Sequence, residues 1–178
     1  CSYRPATRRR ACQPGADRAG VRPPLGQPLS NYADGVPRAD MYDTILVPID
    51  GSDGANRAIE HGLELAERFD ATLYSIFVVD TRLYGEPGLS STELVIDEIE
   101  DTGHGYLKNL TERAENEGIE AETRSCHGVP HRQIIDYADE VDADAIVMGF
   151  QGKTHSEGNI GSVVERVLRD ASRPVFAV

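Results

Sequence analysis

A glycine-rich loop that leads to a serine is the part of the sequence whose residue types and spacing best suit ligand binding. Gly149 and Gly152 follow a short apolar run, and Gly161 and Ser162 come after the eight residues 153–160. Glycine has no Cβ, so the backbone N–H groups of such a loop can approach a ligand closely. A serine at the start of a helix adds a hydroxyl group at the positive end of the helix dipole. The pattern therefore predicts a phosphate-binding loop.

The other reactive residue types lack the partners that catalysis or metal binding requires. His127 and His131 are four residues apart, but Gly128 and Pro130 interrupt any helix that would place them on one face. Cys126 precedes His127 directly, and neighbouring residues of a strand point to opposite faces. No Ser-His-Asp set or carboxylate pair stands out either, so we predict no catalytic residues and no metal ligands.

Alternating strands and helices must position the loop. Apolar runs predict five strands, and the segments between them have the periodicity of helices. The predicted strands are 44–49, 71–79, 119–125, 145–148 and 174–178, and the predicted helices are 54–69, 91–117, 131–141 and 162–171. Such alternation is typical of parallel βαβ units, so we predict an α/β fold with a doubly wound five-stranded parallel sheet. The third strand is the most polar and is expected at an edge, and Gly103 and Gly105 favour a break in the second helix near Thr102.

Two distant stretches of the chain are predicted to meet at one edge of this sheet. Asp50 follows the first strand, and the loop that begins at Gly149 follows the fourth. Ligands of doubly wound sheets bind at the carboxyl ends of the strands, where the strand order reverses. We therefore expect Asp50 to face the glycine loop, although a turn residue that caps the first helix is the alternative interpretation.

The composition is that of an acidic protein of one domain. The chain has 178 residues, a net charge of −12 and two lysines, Lys108 and Lys153. Such acidity, with arginine retained and lysine nearly absent, is typical of a protein adapted to high salt. An ordinary acidic protein is the alternative interpretation. Thermal melting in dilute buffer separates the two, because only a salt-adapted fold loses stability there. An acidic surface repels phosphate backbones, so we predict no nucleic-acid partner.

Residues 1–40 differ from the rest of the chain. They hold six of the ten prolines and seven arginines against three aspartates, without apolar periodicity. Such a segment cannot bury enough surface to offset its ordering entropy, so we expect a disordered or non-native N-terminal extension, with a basic interaction arm as the alternative. No apolar run suits a membrane span or a secretory signal, so we expect a cytoplasmic protein with no membrane partner.

Three stretches within residues 42–178 resemble the universal stress protein family. The family's first strand, acid-bearing turn and first helix are similar to YDTILVPIDGSDGANRAIEHGLELA. Its G-x-P helix and fourth strand are similar to GVPHRQIIDYADEVDADAIVMG, and its closing helix and strand are similar to GSVVERVLRDASRPVFAV. The resemblance implies a universal stress protein domain over residues 41–178. Its fold would be Rossmann-like, of the adenine nucleotide alpha-hydrolase-like type, with strand order 3-2-1-4-5.

The resemblance also implies a site for ATP, with Mg²⁺ or Mn²⁺ as a candidate companion ion. Members that bind ATP carry G-x2-G-x9-G-[ST] after the fourth strand, whereas here the second gap has eight residues and contains an extra Gly158. The resemblance implies that Pro48 and Asp50 contact the nucleoside and that the backbone of Val78 contacts adenine. It also implies that the ribose and phosphates are held by Gly149, Gly152, Gly161 and Ser162, with the N–H of Val163 contributing. Lys153, directly after the second glycine, is a candidate phosphate partner, with a solvated loop lysine as the alternative.

Three functions fit these features. The first is an ATP-binding, regulatory stress-response homodimer, and the second is a dimeric interaction protein of the same fold without nucleotide, which the shortened loop favours. The third is a slow ATPase in which Lys153 and a loop-bound divalent cation assist attack by water. The resemblance implies dimerisation through the C-terminal strand, whose short apolar edge could pair with a second copy.

Overall fold

The computed structural model describes residues 32–33, 36–37, 41–80, 82, 90–152 and 160–178, and for residues 32–33, 36–37 and 90–94 only the backbone. The chain divides into two units, Cys1–Pro37 and Arg38–Val178. In the first unit, the two-residue strand Tyr32–Ala33 pairs antiparallel with Val36–Pro37. The prediction of disorder in residues 1–40 stays a prediction.

The second unit alternates strands and helices in the predicted order. Its elements are β1 (Thr44–Ile49), α1 (Asp53–Phe69), β2 (Thr72–Asp80), α2 (Ser90–Glu117), β3 (Ala121–Gly128), α3 (Pro130–Glu140), β4 (Ala145–Met148), α4 (Ser162–Asp170) and β5 (Val175–Ala177). All neighbouring strands of this sheet are parallel, and their order is β3-β2-β1-β4-β5. The doubly wound sheet with strand order 3-2-1-4-5 is thereby confirmed, and the order reverses between β1 and β4.

The two faces of the sheet carry separate apolar layers. Ile45 and Val47 of β1 belong to the layer formed with α1 and α2, whereas Leu46 belongs to the layer formed with α3 and α4. Alternate residues of a strand point to opposite faces, so a strand covered on both sides is apolar throughout. The sequence TILVPI of β1 has this composition, which explains why its bounds agree with the prediction.

Helix α2 is continuous from Ser90 to Glu117, so the predicted break near Thr102 is wrong. Gly103 is buried where the helix crosses β2, and its Cα faces the ring of Phe77. Packing against the sheet therefore outweighs the weak helix propensity of glycine at this position. Across the described residues, no helix is both long enough and apolar enough to pass through a bilayer.

Two polar side chains hold β4, the strand that leads into the glycine loop. One carboxylate oxygen of Asp144 accepts hydrogen bonds from the N–H groups of Asp43 (2.7 Å) and Thr44 (2.9 Å), at the start of β1. The guanidinium group of Arg173 donates to the carbonyl oxygens of Ala138 (2.7 Å) and Ala143, near the end of α3. These bonds fix the amino end of β4, so the loop leaves its carboxyl end at a defined position.

Candidate functional site

A cleft of about 440 Å³ lies at the carboxyl edge of the sheet, next to the point where the strand order reverses. Pro48 and Asp50, together with Ile76, Val78 and Asp80, contribute its sheet side. These residues are alternate positions at the ends of β1 and β2, so they lie on one face of the sheet. The first turns of α1, α3 and α4 line the remaining sides. The cleft therefore occupies the place where doubly wound sheets bind their ligands.

Eight of the nine predicted site residues line this cleft. They are Pro48, Asp50, Val78, Gly149, Gly152, Gly161, Ser162 and Val163. They come from β1, β2, the glycine loop and the start of α4, which are far apart in the sequence. The ninth residue, Lys153, lies outside the described residues, so its contact with phosphate stays a prediction. The roles of all nine in binding likewise stay predictions.

The turn after β1 presents Asp50 to the glycine loop. Oδ1 of Asp50 accepts a hydrogen bond from the N–H of Ser52 (2.9 Å), and Oγ of Ser52 accepts one from the N–H of Ala55 (3.1 Å). Ser52 is therefore the N-cap of α1, and Asp50 closes the turn before it. A Cβ on Gly152 would lie 2.9 Å from Oδ2 of Asp50, so that oxygen faces the loop inside the cleft.

The glycine loop packs directly on the backbone of α1. A Cβ on Gly149 would lie 2.3 Å from the carbonyl carbon of Gly54, and a Cβ on Gly54 would lie 2.3 Å from the carbonyl oxygen of Gln151. Oγ of Ser52 also donates a hydrogen bond of 3.4 Å to that carbonyl oxygen. Only residues without a side chain allow this approach, so Gly149 and Gly54 determine how closely the loop approaches the helix.

Backbone hydrogen bonds connect the two ends of the loop. The N–H of Phe150 donates to the carbonyl oxygen of Val178 (2.7 Å), and the N–H of Gly161 donates to the carbonyl oxygen of Phe150 (2.9 Å). Phe150, the second residue after β4, is thereby joined both to the end of the chain and to the residue before α4. This connection brings the N-terminus of α4 to the carboxyl end of β4.

Helix α4 begins at the wall of the cleft, where its first residues, Ser162 and Val163, line it. Gly161 is the N-cap residue and makes no side-chain cap, and the N–H of Glu165 donates to its carbonyl oxygen (3.0 Å). The N–H groups of the first turn, including those of Ser162 and Val163, have no partner within a helix. Together with the helix dipole, these donors favour a negatively charged group in the cleft.

An ion pair lines the cleft at the end of β2 and was not among the predicted site residues. Nε of Arg82 donates to Oδ1 of Asp80 (2.8 Å), Nη2 donates to Oδ2, and the N–H of Arg82 donates to Oδ1 (3.1 Å). These hydrogen bonds lower the pKa of Asp80 below its usual value. The sequence signal for Asp80, though not for its partner, was its position directly after the predicted strand 71–79, because ligands of such sheets bind at the carboxyl ends of the strands.

Apolar residues that sequence reasoning did not select also line the cleft. Pro130 and Ile134 contribute from α3, and Met148 contributes from the end of β4. Their signal was weak, because apolar residues on a helix stripe or at a strand end are usually core residues. They give the inner part of the cleft an apolar surface.

His127 and His131 lie in different surroundings. His127 contacts Glu100 of α2, whereas Nδ1 of His131 at the start of α3 is buried without a partner among the described residues. Loss of hydration, and then the charge of Arg166, lowers the pKa of His131. Nowhere in the described ranges do three or more His, Cys, Asp or Glu side chains form a group that could hold a metal ion.

Comparison with known proteins identifies close relatives of the second unit. The model described as "Universal stress protein family" matches residues 41–178. Universal stress protein MJ0531 of Methanocaldococcus jannaschii is 39% identical over 141 residues, which cover 78% of this chain and 83% of the relative.

Solved structures give the same result. The structure of MJ0577 from Methanocaldococcus jannaschii aligns with a TM-score of 0.72 and 27% identity, over 78% of this chain and 96% of that one. The universal stress protein from Archaeoglobus fulgidus in complex with dAMP aligns with a TM-score of 0.55 and 27% identity, over 77% of this chain and 98% of that one. The chain is thus similar to a protein whose structure was determined with an adenine nucleotide.

Proposed function

Because the chain belongs to the universal stress protein family, we propose that its cleft binds an adenine nucleotide, with ATP as the expected ligand. The observation that carries this proposal is the convergence of eight predicted residues from four segments on one cleft. The dAMP complex of the Archaeoglobus fulgidus relative supports an adenine nucleotide as the ligand class. The protein would act as a regulator whose nucleotide state alters its shape or its partners.

The cleft offers a different surface to each part of the nucleotide. The first-turn N–H groups of α4 and the glycine loop would bind the phosphates. The carboxylate of Asp50, which faces Gly152, would accept a hydrogen bond from a ribose hydroxyl group. The apolar surface formed by Pro48, Val78 and Ile134 would cover the base.

Isothermal titration of ATP into the full chain tests this proposal, with a Gly161→Val variant beside the wild type. Gly161 has φ −65° and ψ 141°, which valine also adopts, and a Cβ there would lie 3.5 Å from its nearest neighbours. The variant should therefore fold but place its side chain between the loop and the ligand. We expect micromolar affinity for the wild type and a loss of about tenfold or more in the variant.

Repeating the ATP titration with Mg²⁺, with Mn²⁺ and with a chelator shows whether a divalent cation takes part in binding. A phosphate-release assay tests the alternative that the protein is a slow ATPase. Thermal melting of each sample shows that the chain is folded. Failure of the folded wild type to bind would contradict the proposal. The shortened loop would then be the reason for the lack of binding. The alternative function, a dimeric interaction protein that binds no nucleotide, would be favoured.

We also propose a homodimer that forms through β5. This strand lies at the edge of the sheet, and Phe176 is 38% exposed on it. An exposed apolar edge strand can pair with the same strand of a second copy, and a two-fold axis makes such an interface self-complementary.

Gel filtration of Phe176→Lys at high salt tests the dimer. We expect the wild type to elute as a dimer and the variant as a monomer, because a lysine at the centre of the paired edges would be buried without a partner. Val95→Lys is the matched control, since Val95 is an exposed apolar residue of α2, which packs against β2 and β3 rather than β5. A variant that remains dimeric, or a monomeric wild type, would exclude this interface.

The proposed setting of this function is the cytoplasm of a cell with a high salt concentration. The chain is acidic, with a net charge of −12, and nearly all its cations are arginines. A hydrated carboxylate surface of this kind would keep the protein soluble in salt and away from nucleic acids.

A further inference from the structure

We propose that Arg82 is the residue on which the base of the bound nucleotide stacks, and that Asp80 holds its guanidinium group in position. This inference rests on the proposed nucleotide binding and adds to it a residue that contacts the base. It follows from the geometry of the ion pair, from its place in the cleft and from the composition of the surrounding wall.

The geometry of the pair makes the guanidinium group a fixed plane. Nε and Nη2 of Arg82 bind the two carboxylate oxygens of Asp80 side by side, and the N–H of Arg82 also binds Oδ1. The Asp80 side chain is 16% exposed, whereas that of Arg82 is 46% exposed. The carboxylate lies at the end of β2, and the arginine that binds it lines the cleft with about half of its side chain exposed.

The pair lies on the opposite side of β1 from the strand that leads into the glycine loop. The glycine loop leaves β4, whereas Asp80 is the last residue of β2, and β1 separates these two strands. Neighbouring strands are about 4.8 Å apart, so β2 and β4 are separated by about 10 Å. In a nucleotide whose phosphates lie at the start of α4, the ribose would bridge β1, and the base would lie beside the end of β2.

The charge of the pair also favours a base over a phosphate group. The carboxylate of Asp80 largely neutralises the charge of Arg82, which weakens its attraction for an anion. A guanidinium plane still stacks on an aromatic ring, as arginines do in nucleic-acid recognition. Among the described residues that line the cleft, none is aromatic, so Arg82 is the flat polar surface available to the base there.

Affinities of the full chain for adenosine, AMP and ATP test this inference in the wild type, Arg82→Ala and Arg82→Lys. Arg82→Lys keeps the charge but not the plane, so it should weaken the binding of all three ligands by the same factor, about tenfold, because they share the base. Arg82→Ala also leaves the carboxylate of Asp80 unpaired in the cleft, so it should weaken adenosine binding by about the same factor and ATP binding further. Arg169→Ala is the control, since Arg169 is exposed, pairs with Asp170 and does not line the cleft.

The pattern across the three ligands separates the outcomes. A loss that increases with the number of phosphates and is absent for adenosine would identify Arg82 as a phosphate ligand and overturn the inference, as would unchanged affinity in Arg82→Ala. A wild type that binds none of the three would overturn the proposed function and this inference with it. Thermal melting shows whether each variant is folded. If Arg82→Ala is not folded, Arg82→Lys provides the test.

Discussion

Gly149→Ala is expected to lower the free energy of unfolding by about 3 kcal/mol and to abolish nucleotide binding. The new Cβ would lie 2.3 Å from the carbonyl carbon of Gly54 and 2.8 Å from the nitrogen of Ala55. Both atoms belong to the backbone of the first turn of α1, so no flexible side chain can move aside. The loop would have to separate from the helix, and the cleft between them would lose its shape. Urea denaturation and ATP titration of the full chain measure the two effects.

Gly161→Ala is the matched control for this substitution. It adds the same methyl group to the other end of the same loop, but its nearest neighbours would be 3.5 Å away. Gly161 is an N-cap residue, where alanine is less favourable than glycine, so Gly161→Ala should lower the free energy of unfolding by about 1 kcal/mol, well below the loss expected for Gly149→Ala. Equal losses in the two variants would contradict the view that close contact with α1 determines the position of the loop.

The sheet could be predicted because its strands are buried on both faces and separated by helices. The run 145–148 is wholly apolar, and the structure places β4 over the same residues. The end of β3 was harder to predict, because its polar residues at an edge carry a weak pattern. Its extension to Gly128 depends on the register with β2, in which Gly128 pairs with Asp80.

The general shape of the site could be predicted from the sequence, but the pairing of its side chains could not. Ligands bind at the carboxyl edge of such a sheet, and this rule is enough to predict that Asp50 and the glycine loop lie together. Val78 was selected only through the family resemblance, since an apolar residue near a strand end has no signal of its own. The ion pair of Asp80 with Arg82 depends on side-chain geometry beyond the strand end, which no periodicity encodes.

The wrongly predicted break in α2 shows that sequence-based prediction has the same limit for the fold as for the site. Local propensity treats Gly103 and Gly105 alike, as weak points of a helix. The structure distinguishes them, because one glycine faces the sheet and the other faces solvent. Contacts between elements decide which glycine is required, and sequence periodicity alone does not show where two elements approach most closely.

Gly103→Ala is therefore expected to lower the free energy of unfolding by about 2 to 3 kcal/mol. Its Cβ would lie 2.2 Å, 2.3 Å and 2.8 Å from three ring atoms of Phe77. Phe77 is 6% exposed and packs in the layer between the sheet and helices α1 and α2, so its ring has little room to turn away. The helix would have to move away from β2, and urea denaturation of the full chain measures the cost.

Gly105→Ala should have the opposite effect, although it lies two residues away in the same helix. No atom lies within 4 Å of a Cβ built at Gly105, and the residue is exposed. Alanine has the higher helix propensity, so this variant should be more stable than the wild type by up to about 1 kcal/mol. If both variants were stabilised, helix propensity alone would govern this segment, and the contact of Gly103 with Phe77 would not constrain it. Opposite signs would show that contact with β2 is what requires a glycine at position 103.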